Sequence, residues 1–262
     1  MIRGIYAVVV LDLKRFWLDR ARLATGLLQP LLYLFVLGAG IGSSSRLGGG
    51  NYQQFIFAGV VGLSMLFTAT FAAISIVFDR QIGFFKAVLV APVPRAAIAI
   101  GKIVAGAVQA AAQGAIVLPF APLAGVPLGV GEVIALLGAM MLASLTFSAI
   151  GVAFASQFKS VTVFPVVSNA VLLPMFFLSG ALYPLQSAPL WIQVAAHFDP
   201  VAYAVDLMRG ALTGQFFFLP WGLSLVVLAL VITALAGVSI RVFNRGEDDS
   251  ALGASKFSWH RR

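Results

Sequence analysis

The sequence predicts an all-α membrane protein with six transmembrane helices, and three observations support this fold class. Of the 262 residues, 61% are hydrophobic and only 10% are charged, whereas about a quarter of a typical soluble domain is charged. The mean hydropathy is +1.01. Six apolar runs are long enough to cross about 30 Å of hydrocarbon as helices. A bilayer must therefore be part of the solvent of this chain.

These runs predict a single membrane domain over residues 1–262, with spans at 23–42, 55–78, 103–124, 133–155, 161–182 and 221–240. Pro119 and Pro122 fall in the last turns of the third run, where we expect them to kink the helix rather than end it. The first run follows a long patterned segment and has full span length, so we expect a span and not a cleaved signal peptide.

The distribution of charge predicts the orientation. The net charge is +8, and apart from Arg46 and Arg209 the basic residues lie in 1–22, in the 79–102 loop, at Lys159 or in the 241–262 tail. An excess of Lys and Arg marks the cytoplasmic side of a membrane protein. We therefore expect both termini to be cytoplasmic in the inner (plasma) membrane. This distribution explains the positive charge without nucleic acid as a partner.

Segment 1–22 is amphipathic. Its charged side comprises Asp12, Lys14, Arg15, Asp19 and Arg22, and Trp17 is typical of a membrane–water boundary. This pattern favours an N-terminal helix lying in the cytoplasmic interface. The alternative is a simple extension of the first span.

The connection from Tyr183 to Pro220 is apolar for a loop, and we expect two short outer helices in it, near 188–197 and 200–212. Asp199 and Pro200 are typical of a helix cap followed by proline at the first helical position. Asp206 and Arg209 are three residues apart on the second helix and can pair. The alternative is a solvated surface bridge that contributes little to stability.

Several chemistries lack the residues they need. The chain has no cysteine, and its two histidines, His197 and His260, lie outside the runs. No glycine-rich P-loop ends in Gly-Lys-Ser/Thr, and the apolar runs contain essentially no ionisable residue of the kind ion-driven transporters use. We expect no catalytic residue, metal or cofactor on this chain. Energy for active transport would have to come from another chain.

Uncharged polar residues inside the runs are candidates for a substrate path. Ser64, Thr68 and Phe71 lie on one helical face with Ser75, and Asn169 shares a face with Phe176. Polar groups that meet aromatic ones in this way are suited to lining a path. The alternative is hydrogen bonding and close packing between helices.

The 79–95 loop is amphipathic and predicted to be cytoplasmic. Phe84, Phe85, Val88 and Leu89 form an apolar helix flanked by charges, before a turn with two prolines. Such a helix can dock into a groove on a partner protein. The alternative is an interfacial turn that only anchors in lipid.

At this loop the sequence resembles the permeases of ABC-2-type exporters. The matching stretches, which cover nearly the whole chain in order, are Gln29-Pro30-Leu31-Leu32-Tyr33; Asp79-Arg80, Gly83, Phe84-Phe85-Lys86, Ala91-Pro92, Arg95 and Gly101-Lys102; Phe177 to Pro184; and Pro189-Leu190-Trp191, Asp199-Pro200-Val201, Tyr203-Ala204, Asp206 and Arg209. Within the family the pattern is most similar to the daunorubicin-type drug-exporter branch.

The resemblance implies roles for particular residues. A cytoplasmic coupling helix on the ATPase would comprise Asp79, Arg80, Gly83, Phe84, Phe85, Lys86 and Leu89. The path would be lined by Ser64, Thr68, Phe71, Asn169 and Phe176, and an outer lid would include Trp191, Asp199, Pro200 and Arg209. The implied partners are two copies of a separate ABC ATPase, which would hold ATP and Mg, a second copy of this permease, and membrane lipid.

The resemblance leaves the substrate open. We expect a permease subunit that moves an amphipathic drug-like or lipid-like molecule out of the cytoplasm or the inner leaflet. The alternatives are export of a polysaccharide or glycolipid, and an assembly factor that does not transport. Export driven by a separate ATPase subunit would make this chain a transport component and not an enzyme.

Overall fold

The computed structural model describes residues 1–37, 46–47, 50–82, 94–126, 129–214, 216 and 220–245. In chain order the helices are α1 Ile2–Leu18, α2 Arg20–Leu32, α3 Tyr52–Ala72, α4 Ile74–Gln81, α5 Arg95–Val117, α6 Val130–Ala155, α7 Val163–Leu178, α8 Leu190–His197, α9 Pro200–Thr213 and α10 Trp221–Arg245. A π-helical turn, Tyr33–Leu37, continues α2. Two-residue strands, Arg46–Leu47 and Gly50–Asn51, pair antiparallel. The predicted all-α class is confirmed.

Within the described part of the chain, four helical stretches are long and apolar enough to span a membrane: Tyr52–Gln81, Ala96–Phe120, Val130–Ala155 and Trp221–Phe243. The predicted fifth span corresponds to α7, which has 16 residues and at 1.5 Å per residue falls short of about 30 Å. The predicted first span corresponds to α2 and its π-helical turn, and its remaining residues lie outside the described part of the chain. Six spans therefore remain a proposal.

Two predicted spans are interrupted. The α-helix of α5 ends at Val117, and two 3₁₀ turns, Leu118–Phe120 and Pro122–Ala124, lead to Gly125 at a φ of 68°. The prediction that Pro119 and Pro122 only kink this helix is wrong, because prolines so closely spaced remove successive N–H donors. The second run also breaks at Ala73, whose N–H donates to Thr70 O, so that α4 begins as a separate helix at Ile74.

α3 lies at the centre of the bundle, in contact with α2, α5, α6, α7 and α9. α10 packs against α5, α6 and α9 and leaves most of its apolar surface exposed, as a helix facing lipid does. Small residues bring the helices close together. At Gly106 of α5 a methyl group would meet the Ser148 hydroxyl, and at Gly151 of α6 it would lie 2.8 Å from Thr70 Cα.

The predicted N-terminal helix is present but shorter than expected. α1 ends at Leu18, and Asp19 caps the following helix by accepting a hydrogen bond from the Arg22 N–H at 3.0 Å. α1 exposes Ile2, Tyr6 and Trp17 on one side, which suits an interface with lipid. Asp12, predicted on the charged outer side, is instead buried against α5, because an opposite charge meets it there.

The two predicted outer helices are confirmed as α8 and α9, and Asp199 caps α9 through a hydrogen bond from the Val201 N–H at 2.9 Å. Their packing differs. α8 exposes Leu190 and Trp191, whereas every residue from Val201 to Gly210 in α9 is buried. α9 therefore belongs to the core of the bundle, and the location of both helices at the outer membrane face stays a prediction.

Candidate functional site: a polar cluster at the base of the 79–93 loop

A buried ionic cluster joins α1, α4 and α5. It lies near the end of α4 and the beginning of α5. Lys102 Nζ lies 3.0 Å from Asp12 Oδ2 of α1 and 3.1 Å from Asp79 Oδ2 of α4. It also donates a 2.9 Å hydrogen bond to the Ser75 hydroxyl. Arg15 adds a second cation at 3.7 Å from Asp79 Oδ1, at the exposed edge. Two carboxylates and two cations thus offset one another where water is largely excluded.

Local packing brings α1 against α5 at this level. The nearest neighbours of Gly101 are in α1, where an added methyl group would lie 3.0 Å from Val8 Cβ. Because Gly101 has no side chain, the two backbones approach closely, and Lys102, the next residue, reaches Asp12. Gln109, two turns further along α5, donates a 3.3 Å hydrogen bond to the Asp12 carbonyl. The side-chain amide of Gln109 therefore holds α1 on α5.

The two residues after Asp79 bind different carbonyl groups. Arg80 Nη1 donates to Ser156 O at 2.9 Å and to Phe158 O at 3.1 Å. Gln81 Nε2 donates to Lys159 O at 3.1 Å. These carbonyls follow the end of α6, where the helix dipole favours a cation. Arg80 places a cation there and binds two of these carbonyls.

The polar residues predicted to line a path occupy unlike environments. Ser64, Thr68 and Phe176 are buried within the single chain, whereas Phe71 and Asn169 are partly exposed. Phe71 stacks on Phe67, with 5.8 Å between the ring centroids and 21° between the planes. Of these five residues, Phe71 and Asn169 are the two that the single chain leaves partly available to a second molecule.

Comparison with known proteins assigns the bundle to a family. Residues 3–213 match the ABC-2 type transporter family, a stretch that contains the ionic cluster, the loop and both outer helices. The chain belongs to the ABC-2 type transporter family. It is 34% identical over 201 residues to Nodulation protein J of Rhizobium leguminosarum bv. trifolii, covering 74% of this chain and 75% of that protein.

Two further relatives match similar fractions of this chain and of their own length. Nodulation protein J of Rhizobium meliloti (strain 1021) is 32% identical over 74% of this chain and 75% of its own length. The ycf38 protein of Cyanophora paradoxa, whose name describes it as a transport permease, is 26% identical over 75% of this chain and 71% of its own length. None of these three names specifies a drug, so the likeness to the daunorubicin-type branch stays a prediction.

In this ABC-2 type transporter the predicted coupling residues separate into two groups. Gly83, Phe84, Phe85, Lys86 and Leu89 lie outside the described residues. Asp79 and Arg80 are described and bind the transporter's own helices: Asp79 is 4% exposed in the ionic cluster, and Arg80 binds the carbonyls after α6. Their geometry suits holding the chain where α4 ends.

The predicted outer-lid residues of the transporter are also divided. Trp191 is exposed, whereas Asp199 and Arg209 are buried and Pro200 is partly buried. Arg209 is only 4% exposed, which excludes the alternative of a solvated surface bridge. Its guanidinium carbon lies 3.8 Å from the centroid of the Phe55 ring, and Nη2 donates to Gly180 O at 3.1 Å and to Ala181 O at 3.3 Å. Arg209 thereby joins α9 to α3 and to the end of α7.

Asp199 lies beyond the candidate spans, and its environment disfavours the charged form. Burial raises the pKa of Asp199 from 3.8 to about 7, against the opposing effect of the Val201 N–H hydrogen bond. Oδ2 is buried with no hydrogen-bond partner among the described residues. The carboxyl group therefore gains or loses its proton near neutral pH.

Sequence reasoning missed the ionic cluster, although each member carries a local signal. Asp12 follows the apolar run Val8–Leu11, and Asp79 follows Phe78 at the end of the second run. A lone charge next to an apolar run is usually assigned to the membrane boundary. Lys102 was expected at the end of a span, and only the approach of α1 to α5 shows that its partners come from two other helices.

Proposed function

We propose that this chain is the membrane permease subunit of an ATP-driven exporter, working as a pair of copies with two separate ATPase subunits. Membership of the ABC-2 type transporter family supports the transport role. The observation that carries the coupling assignment is the anchoring of the loop base, where Asp79, Arg80 and Gln81 each bind a different partner. A loop fixed so firmly at its base suits the transmission of an external force.

Phe84 and Phe85 form the contact with the ATPase in this proposal. Their aromatic side chains suit a hydrophobic groove, and truncating a buried interface aromatic commonly costs about 2 kcal/mol or more, over an order of magnitude in affinity. The variant with Phe84→Ala and Phe85→Ala should insert normally, bind the ATPase weakly and fail to export. Phe198→Ala removes an exposed aromatic from the far side of the chain and is the matched control.

Co-purification with an ATP-binding-cassette ATPase co-expressed with this chain measures that contact. Loss of binding in the double alanine variant, with the control unchanged, supports coupling through this loop. Normal co-purification and full export from the double variant would leave the loop as a lipid anchor. Failure of the unaltered chain to bind the ATPase would favour an assembly factor that does not transport.

The substrate we propose is amphipathic, drug-like or lipid-like. The partly exposed Phe71 and the amide of Asn169 offer an aromatic and a polar contact but no charge, which suits a molecule reached from the bilayer. A polysaccharide or glycolipid is the alternative. Stimulation of ATPase activity in liposomes by a cationic amphiphile, a phospholipid or a lipid-linked oligosaccharide distinguishes these classes. Phe71→Ala should change which of the three compounds stimulates most strongly, without abolishing basal ATPase activity.

The second copy is proposed to pack on α7. This helix exposes Val166, Leu173 and Phe177 on one face, beside the partly exposed Asn169. Because the chain has no cysteine, Asn169→Cys introduces a single thiol that should crosslink two copies in membranes. Leu230→Cys on the exposed face of α10 is the control and should not crosslink. The reverse result would place the partner on α10.

The proposed orientation has both termini in the cytoplasm and six crossings. Tags at Met1 and Arg262 should be protected from external protease, and Gln186→Cys should react with an impermeant thiol reagent added outside. Gln186 is exposed in the 3₁₀ turn Leu185–Ser187, so its reactivity reports the side of the membrane. An external C-terminus would require an odd number of crossings.

A further inference from the structure

A continuous series of contacts connects the base of the 79–93 loop to α7. Arg80 Nη1 donates to the carbonyl of Phe158, at 3.1 Å. The Phe158 ring lies edge-on to the ring of Phe164 in α7, with 5.8 Å between centroids and 76° between planes. Phe154, in the last turn of α6, lies 5.0 Å from the Phe158 ring. Phe158 is thus held through its backbone by α4 and through its side chain by α7.

From this geometry we infer that Arg80 and Phe158 position α7 in response to the loop, an inference that rests on the proposed function. α7 carries Asn169, which we place on the path, and the apolar face that we assign to the second copy. Phe164 is fully buried in the same apolar cluster as Ile76 and Val77 of α4. Movement of α4 therefore displaces the beginning of α7 by direct contact.

The chemistry of Arg80 favours a rigid link over a loose one. Its guanidinium binds two carbonyls at once, Ser156 O at 2.9 Å and Phe158 O at 3.1 Å, and a planar donor that is held twice has little freedom to turn. Both carbonyls follow the negative end of the α6 dipole. Gln81 adds a third contact one residue further on, to Lys159 O at 3.1 Å. The connection between α6 and α7 is therefore bound at three successive points.

Arg80 is a positioning residue in this inference, since it acts on the path through Phe158 and α7. Its test needs a readout on α7 itself. Val163, the first residue of that helix, is 47% exposed and is not among the residues that we assign to the second copy. Val163→Cys introduces the chain's only thiol. The rate at which this thiol reacts with a maleimide is measured for the complex with its ATPase in lipid, without nucleotide and after trapping with ATP and vanadate.

We expect nucleotide trapping to change the labelling rate in the Val163→Cys parent. Adding Arg80→Met should remove that change when the variant and the parent are compared at equal occupancy by the ATPase, which co-purification measures. Arg80→Lys, which keeps the charge but not the planar donor, should restore it only in part. Lys159→Ala is the matched control, because it removes an exposed cation from the same connection but leaves the carbonyl that Gln81 binds.

Phe158→Leu provides a second variant if Arg80→Met does not fold. It removes the ring contact with Phe164 but keeps the backbone carbonyl, and it should also abolish the nucleotide-dependent change. The inference is overturned if either folded variant keeps the parent's full response. It is also overturned if the parent shows no response although the ATPase is bound and active. A parent that binds no ATPase would instead count against the proposed function.

Discussion

Lys102 and Asp12 form a buried ion pair with 3.0 Å between Nζ and Oδ2, although 90 residues separate them in the chain. Asp79 accepts a contact from the same ammonium group at 3.1 Å. The pair therefore fixes α1 on α5 and, through Asp79, fixes the end of α4 to both. Any substitution at one of the three charges alters the balance of the other two.

Lys102→Met is expected to destabilise the protein by about 3–5 kcal/mol, because it leaves two carboxylates buried close together. Thermal unfolding of the purified protein in detergent measures this loss. Adding Asp12→Asn and Asp79→Asn removes those charges as well and should recover most of the stability. Lys159→Met, at an exposed cation, is the control. An unchanged melting temperature in the Lys102→Met variant would contradict a buried pair.

Arg209→Lys is expected to lower stability by about 1–3 kcal/mol, because a lysine cannot reproduce the planar donor that binds two carbonyls and covers Phe55. Arg241→Lys makes the same change at an exposed site on α10 and should have little effect. Both variants are compared by thermal unfolding. If the two variants had equal melting temperatures, the hydrogen bonds from Arg209 to the Gly180 and Ala181 carbonyls would contribute nothing measurable to stability.

Asp199 should make stability depend on pH. Its pKa is raised to about 7 in the folded protein, so the folded state holds the proton more tightly than the unfolded state. Stability is therefore fully present below the unfolded pKa, falls as pH rises through the interval between about 4 and about 7, and stays low above it. Asp199→Asn keeps a side-chain cap and should be more stable than the parent above neutral pH.

Thermal unfolding across this pH range tests the Asp199 prediction. The difference between the Asn variant and the parent should be small in acid and grow as the pH approaches neutrality. Asp19→Asn is the matched control, since Asp19 also caps a helix, α2, but is exposed. Parallel curves for Asp199→Asn and the parent would show that the carboxyl group is already well solvated.

Gly151→Ala and Gly138→Ala should differ although both lie on α6. At Gly151 the new methyl group would lie 2.8 Å from Thr70 Cα in α3, whereas at Gly138 nothing lies within 4 Å. We expect the first change to destabilise by about 1–3 kcal/mol, since backbone cannot yield as a flexible side chain does. The second should be neutral or slightly stabilising. Equal melting temperatures would mean that α3 and α6 can separate freely.

The sequence by itself determined the class of protein, most of the helices and the family. Apolar runs and the asymmetry of basic residues predicted a helical membrane protein, and the Asp199–Pro200 pair located the start of α9. The loop residues around Asp79 indicated the family that the comparison then showed. These features are predictable because they depend on composition and on neighbours within a few residues.

Only the tertiary structure decided where the charges lie. Asp12, Asp79 and Arg209 have the sequence contexts of boundary or surface residues, yet all three are buried. A charge can be buried when opposite charges or carbonyl oxygens surround it, and those partners come from helices distant in sequence. The sequence pattern gives the position of a charge along one helix. The packing of α1, α4 and α5 gives its partners, and those partners fix how the loop is held.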